Sequence, residues 1–185
     1  MRFFSRKDRN NAIWLYSNVS YYHTNANGKF TFQVSFDDGT TWVEGDNLAT
    51  GRQALGGAGT QTAALAFGGS IPPTKQSVTE NYNGTTWTET NDLNLARWAL
   101  PLVGTSAAAL AIGGTGAPDN GMTTTQDWDG TTWTTNSASL NEGKVNGAAA
   151  GTTTLALNYG GYGGGGSTSV TGATESFNGT SWAAV

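Results

Sequence analysis

The sequence predicts an all-β fold, a β-propeller-type array of four-stranded antiparallel blades, and three observations lead there. A five-residue stretch recurs: Asp38-Gly39-Thr40-Thr41-Trp42, Asn83-Gly84-Thr85-Thr86-Trp87, Asp129-Gly130-Thr131-Thr132-Trp133 and Asn178-Gly179-Thr180-Ser181-Trp182. Asn-Gly or Asp-Gly supplies a hairpin turn, and the β-branched and aromatic residues after it open the next strand. The tryptophans Trp42, Trp87, Trp133 and Trp182 lie 45, 46 and 49 residues apart, a structural repeat period. Composition agrees: 27 Gly and seven Trp in 185 residues, with only 12% charged, describe many short strands joined by tight turns.

Residues 1–11 form a basic N-terminal arm carrying Arg2, Arg6, Lys7 and Arg9. Residues 12–42 read as an irregular β segment or degenerate blade. Within it Phe30, Phe32, Val34 and Phe36 alternate with Lys29, Thr31, Gln33 and Ser35, the pattern of a half-buried strand. Three units follow within 43–185, at 43–87, 88–133 and 134–182.

The landmarks of the units keep register. Arg52, Arg97 and Lys144 follow the preceding Trp at ten or eleven residues. A turn glycine (Gly59, Gly104, Gly151) precedes an apolar strand rich in small residues: Ala63 to Phe67, Ala107 to Ile112, Leu155 to Tyr159. Each strand ends in a Gly pair, Gly68-Gly69, Gly113-Gly114 or Gly160-Gly161, where the backbone turns without a Cβ clash. A variable loop comes next, at 70–75, 115–121 and 161–169. A further strand then reaches an aromatic, Tyr82, Trp128 or Phe177, five residues before the Trp. Four short strands in about 45 residues is the unit of a propeller blade.

These landmarks resemble the kelch repeat, whose pattern is a basic residue, an apolar strand closed by a Gly pair, an aromatic and a Trp. Arg52, Gly68, Gly69, Tyr82 and Trp87 carry it, as do Arg97, Gly113, Gly114, Trp128 and Trp133, and Lys144, Gly160, Gly161, Phe177 and Trp182. The resemblance implies a propeller in which these are structural repeat residues. Residues 35–42, with Ser35, Asp37, Gly39, Thr41 and Trp42, resemble the Asp-box hairpin of sialidase-type propellers, a structural staple in that family. Thr-, Gly- and Asn-rich arrays of this kind look like those of bacteriophage tail and fibre proteins.

Few residues offer chemistry. Net charge is −4 and the repeats are acidic, which disfavours nucleic acid. There is no cysteine, and His23 is the single histidine, so a thiol nucleophile, a multi-His metal site and a Ser-His-Asp set beside a spare base are not available. No apolar run is long enough to span a membrane, and Met1 to Asn11 lacks the apolar core of a secretory signal. Carboxylates that could pair for glycoside hydrolysis are Asp37/Asp38, Glu80, Glu89/Asp92, Asp119, Asp127/Asp129, Glu142 and Glu175. Several recur at hairpin positions, which marks them as turn formers. No cofactor is expected. The glycine run 160–166 lacks the Lys-Ser/Thr of a phosphate loop.

The expectation is a non-catalytic structural or recognition protein. It belongs to a virion or extracellular particle of tail or fibre type, or alternatively to a cytoplasmic kelch-type interaction scaffold; a fragment of a carbohydrate-active enzyme is the weaker alternative. Variable loops on a rigid repeated frame are where recognition sits. Ile71, Pro72, Lys75, Pro118, Asp119, Asn120 and Tyr162 are the candidate binding residues, for a cell-surface glycan or receptor. Three units and an imperfect start fall short of the 4–8 blades of a closed ring, so missing contacts are expected from other copies or other protein chains.

Overall fold

The computed structural model describes residues 45–117, 120–163 and 169–185. They form seventeen strands and no helix. In the first unit these are β1 (Gly56–Thr60), β2 (Ala63–Phe67), β3 (Ser70–Ile71), β4 (Thr74–Lys75), β5 (Thr79–Tyr82) and β6 (Trp87–Glu89). The second holds β7 (Leu102–Gly104), β8 (Ala109–Ile112), β9 (Thr124–Trp128) and β10 (Trp133–Ser139). The third holds β11 (Lys144–Val145), β12 (Ala148–Gly151), β13 (Ala156–Tyr159), β14 (Tyr162–Gly163), β15 (Ser169–Val170), β16 (Thr174–Phe177) and β17 (Trp182–Ala184).

Each unit builds one four-stranded antiparallel sheet: β1-β2-β5-β6, β7-β8-β9-β10 and β12-β13-β16-β17, called here the first, second and third sheets. Two small sheets accompany them, the hairpin β3-β4 and the three-stranded β11-β14-β15. Two of the three segments expected as loops after the Gly pairs therefore contain short strands. The hairpin turn is set by its first side chain. Asn83 Oδ1 accepts the amides of Thr85 and Thr86 at 2.9 Å, and Asp129 Oδ1 and Asn178 Oδ1 do the same for the next two residues but one in their copies. Gly104 is held at φ +117°, and a Cβ there would sit 2.3 Å from the Ala108 carbonyl, so the tight β7–β8 connection requires glycine.

The sheets stack face to face in chain order, with β1 against β7 and β7 against β12. One core cluster joins Ala58, Leu65 and Phe67 of the first sheet to Ala109, Ala111, Trp128 and Trp133 of the second. The other joins Val103, Leu110 and Ile112 of the second to Ala156, Phe177 and Trp182 of the third.

This arrangement corrects the expected fold. The chain is all-β, but the five sheets are open, and among the described residues no contact of comparable extent joins β1 to β12. No ring closes, so the β-propeller-type array of blades is not formed. The reason is physical: turn residues and strand alternation specify a local meander, whereas closure needs the last face to meet the first. Trp42, the Asp-box-like hairpin at 35–42, the basic arm and the whole segment 12–42 with its degenerate blade lie outside the described residues.

A candidate docking face on the third sheet

The central strand of each sheet alternates small and large side chains. Cross-strand register aligns Ala64, Leu65, Ala66 and Phe67 in β2 with Ala109, Leu110, Ala111 and Ile112 in β8 and with Ala156, Leu157, Asn158 and Tyr159 in β13. Successive residues of a strand point to opposite faces. Each sheet thus has a trailing face of large residues and a leading face of small residues beside the aromatic pair.

Two trailing faces are covered. Phe67 meets Trp133 at a ring separation of 4.7 Å, and the Trp133 indole N–H donates to Thr79 Oγ1 at 3.0 Å. At the second interface the Trp182 indole donates to Thr125 Oγ1 at 3.2 Å. Thr79 lies opposite Phe67 and Thr125 opposite Ile112, so the same lock is used twice.

Among the described residues, nothing covers the third trailing face. Two rows cross it, Ala148–Tyr159–Thr174 and Ala150–Leu157–Ser176–Ala183. Leu110 and Ile112 are 0% exposed, but their counterparts Leu157 and Tyr159 are 43% and 41% exposed. Leu155, at 66%, extends the patch, and a shallow apolar depression lies between Leu155, Leu157 and Ala150. Thr174, the counterpart of Thr79 and Thr125, has no indole on its hydroxyl.

Beneath each sheet a buried cation ties the strands to the loop before it. The Arg52 guanidinium pairs with Glu80 and donates to the Gly68 carbonyl at 2.7 Å, while Glu80 also accepts the Ala49 amide at 2.6 Å. Lys144 Nζ donates to the Ala173 carbonyl at 2.7 Å and lies 3.8 Å from Glu175. In the second sheet the carboxylate is replaced by Gln126. Arg97 donates to the carbonyls of Gly113 and Thr124 at 3.0 and 2.9 Å, and burial pushes its guanidinium down to about 10. Gln126 Oε1 accepts the Asn94 amide, and its buried amide nitrogen has no partner.

The candidate binding residues are scattered among separate small elements. Ile71 and Lys75 lie on the β3-β4 hairpin with Pro72 in its turn, and Ile71 is exposed. The Asn120 carbonyl accepts the Gly116 amide at 3.4 Å. Tyr162 pairs with Val145 and Val170 and is exposed. Pro118 and Asp119 lie outside the described residues. Of the structural repeat residues, Gly68, Gly69, Gly113, Gly114, Gly160 and Gly161 all have positive φ.

Among the candidate carboxylates, Glu80, Asp92, Asp127, Asp129 and Glu175 are engaged within the fold, while Asp37, Asp38 and Asp119 lie outside the described residues. Glu80 and Glu175 bind loop amides, Asp92 accepts the Thr79 amide and Asp127 accepts from Asn136. Burial raises the Asp127 carboxyl, which its bond from Asn136 opposes; the amides of Thr132 and Thr131 lower that of Asp129. Among the described residues no group of three His, Cys, Asp or Glu could hold a metal ion, and no helix is long and apolar enough to cross a membrane.

The open face was not among the residues singled out from sequence. Its signal was present: Thr79, Thr125 and Thr174 each precede a repeat Trp by eight residues, and small and large residues alternate in each central strand. Comparison with known proteins gives no family to which these features belong: no family model matches the chain, and no curated protein matches it. The kelch-repeat resemblance and the likeness to tail-fibre proteins are therefore overturned, by the open sheets and by the absence of any such match.

Proposed function

We propose that this chain is a non-catalytic building protein that joins other protein chains through the open face of its third sheet. The observation that carries this is a face with the apolar residues of a buried interface on which no described residue packs: Leu157 and Tyr159 repeat the core positions Leu110 and Ile112 and are exposed. Contiguous exposed apolar surface of this kind marks interaction sites. The engagement of Glu80, Glu175, Asp92 and Asp129 in backbone hydrogen bonds supports a structural over a catalytic use of the acidic residues. The assembly so formed belongs to an extracellular particle or to a cytoplasmic scaffold.

Placing a photo-crosslinking amino acid at position 157 of the full chain, in its native cellular setting, tests the reading. A covalent adduct with a protein chain is expected; illumination that yields no protein adduct overturns it. A second, recognition role for the loops is favoured by the exposure of Ile71 and Tyr162. A glycan array probed with the full chain and with Tyr162→Ala tests that role, which requires binding that the substitution removes.

A further inference from the structure

Resting on that reading, we propose that the partner is a second copy of this chain, docked head to tail, with the third sheet of one copy against the first sheet of the next. Three hydrogen bonds recur at both internal sheet–sheet junctions. The first is the indole lock, Trp133 to Thr79 and Trp182 to Thr125. In the second, a Gly-pair amide donates to the carbonyl of the next basic residue: Gly69 to Arg97 at 2.8 Å and Gly114 to Lys144 at 2.9 Å. In the third, the Ala99 amide donates to the Ala54 carbonyl at 2.9 Å, and the Asn146 amide to the Ala99 carbonyl at 3.0 Å.

Among the described residues, one half of each bond remains open at either end of the stack. The third sheet's unit leaves the Thr174 hydroxyl, the Gly161 amide and the Asn146 carbonyl without a partner. The first sheet's unit leaves the Trp87 indole N–H, the Arg52 carbonyl and the Ala54 amide without one. Each open donor at one end has its open acceptor at the other. Trp133 and Trp182 are 5% and 6% exposed, whereas Trp87 is only half-buried, so its ring has surface left to cover. Tyr82 beside it is already buried, which places the available contact at the Trp87 side of that sheet.

The two surfaces differ, so the contact is heterologous, and a pair of copies keeps one free face at each end on which further copies can add. This predicts a test by complementary blocking. The full-length protein should self-associate in light scattering after size exclusion. Leu157→Arg and Trp87→Arg should each be monomeric alone, and their mixture should give a 1:1 dimer that grows no further. Thr174→Val, which keeps shape, should weaken association by about 3- to 10-fold, the worth of one hydrogen bond. Trp87→Phe, which also loses ring area, should weaken it by at least as much, and Thr174→Val should add no further loss once its partner indole is gone. Urea melts of the four variants identify any that fail to fold, and the conservative pair then decides. A monomeric wild-type chain overturns the inference, as does Trp87→Arg that still dimerises, since that shows two third sheets paired face to face. A monomer that nevertheless crosslinks to another protein from position 157 removes the second copy and leaves the building role standing; no protein crosslink at all removes both.

Discussion

The second and third sheets share a strand order, a hairpin and a central apolar strand, yet differ in what lies on either side. The second is sandwiched, with Ala109 and Ala111 packed toward the first sheet and Leu110 and Ile112 toward the third. The third is covered on its leading face by the second, and no described residue covers its trailing face. The same residue types thus act as core in one sheet and as surface in the other, and position in the stack decides which.

The largest expected effect follows directly. Leu110→Ala should cost about 2–5 kcal/mol, as for other fully buried leucines, while Leu157→Ala in the dilute chain should cost less than about 1 kcal/mol. Urea midpoints measure both. Equal losses would break the comparison, because Leu157 would then be packed within its own chain.

The buried cations differ in the opposite sense. Lys144 has Glu175 nearby, whereas Arg97 faces Gln126 and is desolvated without a carboxylate. Gln126→Glu copies the arrangement of Arg52 and Glu80 and should stabilise the chain by about 1–3 kcal/mol at pH 7, the range for hydrogen bonds to charged groups. Because pairing with Arg97 lowers the introduced carboxyl's folded pKa, the gain is present above the ordinary Glu value. It is lost as pH falls through the lowered one. Thermal melts from neutral to acid pH check both size and direction; a destabilised variant at pH 7 would show that the second sheet has no room for the charge.

A smaller effect belongs to Asn158. Its side-chain nitrogen and oxygen are both buried without partners, and the matching residue of the second sheet is Ala111. Asn158→Ala should raise stability by about 1 kcal/mol by removing unsatisfied polar atoms, read as a higher urea midpoint. A loss instead would mean that the amide serves packing that outweighs its desolvation.

The smallest contrast lies in the hairpins, where Asp129 of the second sheet stands in the place of Asn178 in the third. Backbone amides hold the Asp129 carboxyl below its usual range. Its stabilising contribution is therefore present above the unfolded Asp value and is lost as pH falls through the lower folded one. Asp129→Asn should remove that contribution, slightly lowering stability at neutral pH and flattening the acid limb of the profile, as urea midpoints across pH would show.

Much of this was legible in the sequence, and the division is physical. Strands β2, β8 and β13 fall within two residues of their expected limits, since Gly pairs and turn glycines punctuate them locally. The hairpins at Asn83, Asp129 and Asn178 likewise follow from side-chain hydrogen bonds spanning three residues. The expected propeller-type arrangement of blades is not found, because it depends on contacts between distant parts of the chain that no local residue encodes. The open face was hidden by the same cause: Leu157 reads as core in any window of sequence, and only the number of sheets in the stack leaves it bare.

Hydroxyl-radical footprinting of the full chain at decreasing concentration distinguishes an exposed third-sheet face from a buried one. Leu110 and Ile112 should stay unmodified at every dilution, while Leu157 and Tyr159 react strongly in the dilute monomer and become protected as copies associate. Protection of Leu157 and Tyr159 at the lowest concentration, equal to that of Leu110 and Ile112, would contradict it.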